Sequence, residues 1–120
     1  MGFSLLIGGV IMIRATTPTH TFTFKNLNPE TFKVLNVYYA QQGVELLSKS
    51  KEDFSFSTKE IEDGIVYEAA VTLSQEETKL FKAKYDVEVQ VRALTADDKS
   101  LASPKTKLSV WDVINDEVLE

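Results

Sequence analysis

Cysteine is absent from the 120 residues, which removes disulfide cross-links, thiolate nucleophiles and thiolate metal sites. Histidine occurs once, as His20, so no imidazole pair is available for a metal set or a proton relay. Five glycines leave neither a phosphate-cradling loop nor a G-x-S-x-G nucleophile turn. Basic residues are in deficit, 13 against 18 acidic, and the net charge of −5 opposes a phosphate backbone, which is bound through Lys and Arg. The basic residues are also scattered, so no polybasic patch marks a membrane surface. The acidic ones show no D-x-D-x-D-G spacing, and Asp53, Asp63, Asp97 and Asp98 fall in turn segments, where Asp is favoured for its own backbone bonds. The expectation is a protein without enzyme activity, cofactor or metal, and with neither nucleic acid nor membrane as partner.

A long apolar run is missing as well. Phe3 to Ile13, FSLLIGGVIMI, falls well short of the roughly 20 residues a spanning helix needs. It has no basic region before it and no small-x-small cleavage site after it, so it does not read as a signal peptide. Gly8-Gly9 a few codons ahead of Met12 fits a ribosome-binding site read through as protein, provided the codons are GGA-GGU or close to it. Residues 1–11 are accordingly expected to be an appended extension, 12–113 the folded domain and 114–120 a C-terminal tail.

What the chain has in abundance is alternation. Tyr85 to Leu94, YDVEVQVRAL, puts Tyr85, Val87, Val89, Val91 and Ala93 on one face and Asp86, Glu88, Gln90 and Arg92 on the other, the pattern of a half-buried antiparallel strand. Similar stretches follow one another along the chain. His20, Phe22 and Phe24 share a face after Pro18; Leu35, Val37 and Tyr39 share another; Gln42-Gly43 turns the chain into a partner strand with Val44 and Leu46 inward. Phe54 to Ser57 reads as a short edge strand, Glu60 to Gly64 as a turn, and Tyr67, Ala69, Val71 and Leu73 as one strand face. Ser74 and Glu77 form a capping box for a helical turn or two that lays Leu80 or Phe81 over the core. After a hairpin loop at 95–100, Leu101 to Val113 returns as a strand pair broken at Pro104, with Leu108 and Val110 inward.

About seven short strands separated by turn signals, with one short helical corner before the strand opened by Tyr85, predict an all-β, immunoglobulin-like or fibronectin-III-like β-sandwich. One helix on a β-meander is the other arrangement the pattern allows.

The candidate binding residues are surface aromatics and tail apolars. Tyr38 and Tyr39 are neighbours on one strand, so one of them faces away from the core; Trp111 falls outward with Ser109 by parity with Leu108 and Val110. An outward Tyr38 and Trp111 suit stacking on a glycan or anchoring a protein. The tail, DVINDEVLE, carries Val113, Ile114, Val118 and Leu119 at near-helical spacing, for docking on another subunit or folding back on its own domain as a short helix. His20, between threonines and phenylalanines, is expected to be packed with one ring nitrogen hydrogen-bonded.

Four segments, TTPTHTFTF, LSQEETKLF, VQVRALTADDKSLAS and VINDEVL, carry a resemblance covering the chain from Met12 onward. They resemble a family of small prophage-encoded proteins of Gram-positive gut bacteria. The resemblance implies a phage virion or tail-module component, found in the virion or in the host cytoplasm during assembly, and it supplies no catalytic residue to transfer. It implies other phage structural proteins, or further copies of this chain, as partners. A carbohydrate-binding or adhesion module and a phage-encoded inhibitor of a host protein are the alternatives.

Overall fold

Alternation of buried and exposed side chains organises the computed structural model, which describes residues 11–120. Nine strands and one α-helical turn occur among them: β1 (Ile11–Ile13), β2 (Thr19–Lys25), β3 (Val34–Gln41), β4 (Val44–Lys49), β5 (Ser55–Ile61), β6 (Gly64–Thr72), α1 (Gln75–Thr78), β7 (Val87–Leu94), β8 (Ser100–Ala102) and β9 (Thr106–Trp111), with two 3-10 turns at Pro29–Thr31 and Lys51–Asp53. The larger sheet runs β1-β9-β7-β3-β4, with β8 also on β7; the smaller runs β2-β6-β5. All pairings are antiparallel except β1 with β9, which is parallel. The protein is an all-β sandwich of immunoglobulin-like character, as the turn spacing predicts.

The inner faces meet in one core. Phe22, Phe24, Ala69 and Val71 of the small sheet pack against Leu35, Val37, Tyr39, Val87, Val89, Val91, Leu108 and Val110 of the large one. Edge-on ring pairs add to the core, Phe24 against Phe32 at 5.7 Å and, on the small-sheet side, Phe22 against Phe54 at 6.0 Å between centroids. Met12 is fully buried, and Ile11, assigned from the sequence to the extension, already pairs with Ser109 in β1. The other residues of that extension, 1–10, lie outside the described residues.

Three details depart from the sequence expectation. Alternation puts Tyr85 on the inward face of its strand, but β7 begins only at Val87 and Tyr85 is exposed. The buried Gln41 amide fixes the approach to β7: its Nε2 donates to the carbonyls of Lys82 at 2.8 Å and Tyr85 at 3.0 Å, and its Oε1 accepts from the Lys82 amide. Val44 stands opposite the buried Gln41 but at the open end of an edge strand, where it is 58% exposed, and Leu46 falls where the β3–β4 register shifts between Tyr39 and Ala40; Leu47 packs on the core instead, opposite Tyr39. And β5 continues to Ile61, four residues past the expected short edge, because the turn is confined to Glu62-Asp63 and Ile61 closes the ladder on Gly64.

Gly64 makes that closure possible. Its φ is +139°, and a Cβ there would sit 2.6 Å from Asn26 Oδ1. Gly64→Ala is expected to lower stability by about 2 kcal/mol in chemical denaturation, as a strained backbone and a forced shift of Asn26 combine; an unchanged midpoint would contradict this.

Pro104 interrupts the last strand, and both halves, β8 and β9, still lie along the same side of β7. Ser103 bridges the gap by donating its amide to the Val91 carbonyl while its hydroxyl accepts from the Val91 amide, each at 2.9 Å. A proline cannot donate, so a side chain completes the ladder. At the helical corner the expected capping box is present: Ser74 Oγ accepts from the Glu77 amide at 3.1 Å and Glu77 Oε1 from the Ser74 amide at 2.8 Å. Phe81 is the buried residue beyond it, and Leu80 is exposed.

Candidate functional site

Strand parity decides which side chains the large sheet shows to solvent. On β3 these are Val34, Asn36, Tyr38 and Ala40; opposite them on β7 stand Leu94, Arg92, Gln90 and Glu88. Tyr38 is half-buried and Tyr39 fully buried, so the pair divides between outside and core. Asn36 Nδ2 donates to Tyr38 Oη at 3.1 Å. Since Asn36 and Tyr38 are two residues apart on one face, that contact leans the ring along β3 instead of leaving it upright. The ring is the wall between two depressions. One, of about 250 Å³, lies toward Arg92, Leu94 and Ser100; the other, of about 120 Å³, lies toward Ala40, Glu88 and Lys105.

Trp111 is outward too, and 56% exposed, but it does not join Tyr38. Leu108 pairs with Val87, so Trp111, three residues further on, is level with position 84, whereas Tyr38 pairs with Gln90. At about 3.4 Å per residue, the two rings are roughly 20 Å apart along the sheet. A single platform holding both is therefore not formed.

Trp111 instead has neighbours that sequence reasoning missed. Ile13 pairs with Trp111 and Ile11 with Ser109 in the parallel β1–β9 ladder, while Met12 and Val110 turn inward. Ile11 and Ile13, each 39% exposed, thus form an outward apolar strip beside the tryptophan. The signal available was the alternation of Ile11-Met12-Ile13; what it lacked was any indication that this segment joins the far end of the chain.

The tail folds back on its own domain, but not as the short helix its spacing suggests: so short a segment with little apolar burial does not sustain one. It is held by charge and backbone. Arg14 Nη1 reaches Asp112 at 2.7 Å and Asp116 at 3.4 Å, while its Nε donates to the Phe81 carbonyl at 2.8 Å. The Gln75 side chain pairs with the backbone of Leu119 in both directions, at 2.9 and 2.7 Å. The side chains expected to dock respond differently: Val113 and Val118 are half-buried, Leu119 is 78% exposed and Ile114 wholly so. The Arg14 bond is the leading cause that holds the Asp112 carboxyl below its usual range.

Between the sheets lies the one buried titratable contact that spans them among the described residues. His20 Nδ1 and Tyr39 Oη share a hydrogen bond of 2.7 Å. Burial lowers the His20 pKa to about 4, since the charged imidazolium would lose its hydration, and raises that of the Tyr39 phenol, with the Glu77 charge adding to the rise. Both groups are thus neutral at ordinary pH. Glu77 itself is pushed upward by partial burial, but the ion pair with Lys49 at 2.6 Å and the bonds to Ser74 outweigh this and hold its carboxyl below the usual range. Among the described residues, no group of three or more His, Cys, Asp or Glu side chains is placed to hold a metal ion. No described helix is long and apolar enough to cross a membrane.

Compared with known proteins, the chain matches no protein-family model and no curated protein.

Proposed function

We propose that the protein is a non-enzymatic phage structural module of the tail, baseplate or capsid surface that works by docking on neighbouring proteins. The observation that carries this reading is the outward strip Ile11, Ile13 and Trp111 on the rim of the large sheet. A half-exposed tryptophan flanked by two isoleucines is costly in water and is the composition of interface anchors, where Trp and large aliphatic contacts carry most of the binding energy. The exposed Ile114 and Leu119, with half-buried Val113 and Val118, supply a second contact from the tail. The phage setting rests on the resemblance of the four sequence segments, and the partner is another virion protein or a further copy of this chain.

The test is incorporation into particles. Phage particles purified from an induced lysogen are expected to contain the chain by mass spectrometry. Ile13→Ser with Trp111→Ser should lower its incorporation on the order of tenfold or more, with the thermal midpoint changed little, because both side chains are outward. Absence of the parent protein from particles, or full incorporation of the double variant, would overturn the reading.

A further inference from the structure

The larger depression beside Tyr38 is separate from the Trp111 rim and has its own chemistry. Its lining includes Val34, Asn36, Tyr38, Arg92, Leu94 and Ser100. Cross-strand pairing stacks these in rungs, with Val34 opposite Leu94, Asn36 opposite Arg92, and Tyr38 opposite Gln90. The depression has a single ionisable cation in its lining, the exposed Arg92. One of its terminal nitrogens donates to Ser100 Oγ at 3.3 Å, and among the described residues no acidic side chain is paired with it. The rest of the guanidinium fork is open beside the tyrosine ring. Asn36, also in the lining, donates one amide hydrogen to Tyr38 Oη and carries a carbonyl oxygen able to accept.

We propose that this depression binds an acidic oligosaccharide, a glycan carrying a uronic carboxylate. Arg92 receives the carboxylate through its open fork, a geometry matched by guanidinium and by no other side chain. The leaning Tyr38 ring offers an apolar flank to the C–H face of the pyranose, and Asn36 accepts from a sugar hydroxyl. Charge complementarity selects the acidic glycan over a neutral one. A glycan is favoured over an acidic peptide because the depression lies on the face of the sheet, lined by side chains and not by strand-edge backbone, and β7 is paired there with both β3 and β8. The polar groups on offer are all from side chains, which suits a hydroxyl-rich ligand.

The experiment is an amide-shift titration of isotope-labelled protein with trigalacturonate, a hyaluronan tetrasaccharide and a mannuronate trimer. Cellotriose is the neutral control, and an acetylated triglutamate peptide the acidic one. At least one uronic glycan should shift amides around Asn36, Tyr38, Arg92 and Ser100, and should leave those at Trp111 unmoved. Arg92→Gln and Tyr38→Ala should each weaken binding on the order of tenfold, and salt should weaken it further. Cellotriose should bind at least tenfold more weakly. Since Arg92 is exposed, Arg92→Gln keeps the fold and remains informative even if Tyr38→Ala does not. Silence from all three uronic glycans at about 20 mM, equal binding of cellotriose, equal binding to Arg92→Gln, or a response to the peptide alone would overturn the proposal.

Discussion

Lowering the pH from about 7.5 to about 5 is expected to remove about 2 kcal/mol of stability, before most carboxylates begin to titrate. The source is His20. Its pKa falls from 6.5 in the unfolded chain to about 4 in the sandwich. The unfolded state therefore takes up a proton that the folded state refuses, and stability declines as pH drops through the window between those values. Above the unfolded pKa nothing is lost; below the folded one the loss levels off at about 3 kcal/mol. Urea denaturation at a series of pH values reads this directly. The double variant His20→Phe, Tyr39→Phe removes both members of the 2.7 Å bond together, so no polar group is stranded and the slope in this window should vanish. Tyr39→Phe alone should keep the slope, because desolvation of the imidazole and not the phenol is the dominant cause. A parent protein whose stability is flat from about pH 7.5 to about 5 would refute the account.

Gln41→Leu is expected to destabilise by about 3 kcal/mol, at about 1 kcal/mol for each of three hydrogen bonds lost. The substitution keeps the approximate volume but strands the Lys82 amide and the carbonyls of Lys82 and Tyr85. Gln41→Glu should fare no better, since a carboxylate facing two carbonyl oxygens replaces attraction with repulsion. Amide exchange at Lys82 should quicken in both, and more than at Val89 in the core. A cost below about 1 kcal/mol for Gln41→Leu would mean that solvent reaches these groups in the folded state.

This residue also shows where sequence reading stops. The segment from Tyr85 to Leu94 was legible as a one-sided strand, and its inward positions Val87, Val89, Val91 and Ala93 are all buried. Tyr85 continued the same alternation and yet lies outside, because the strand cannot begin until the chain has left the corner that Gln41 holds. Periodicity reports which faces differ; it does not report where a neighbouring element obliges the strand to start. The same limit explains β4. Leu46 has the right parity in isolation, and one irregularity opposite Tyr39 and Ala40 transfers its inward role to Leu47, while Val44 keeps its place opposite Gln41 but lies at the open end of the strand.

The candidate surfaces divide along the same line. That Tyr38 and Trp111 face outward followed from parity alone. That they stand roughly 20 Å apart depends on how far β9 slides along β7, which no local pattern encodes. The tail was legible as a segment with two possible fates, and its return to the domain was settled by Arg14 and Gln75, far away in sequence.

By itself, then, the sequence determined that this is a cysteine-free, acidic, all-β sandwich with a capped helical corner. Those properties are local: period-two alternation, turn residues and a capping box act over a few neighbouring positions. Only the tertiary structure decided that Ile13 lies beside Trp111, that Asn36 and Arg92 face the same depression as Tyr38, and that His20 meets Tyr39 across the core. Each of these juxtapositions is set by pairing register and sheet packing between distant segments. Their free energy resides in the assembled layers, so no single stretch of the chain carries it.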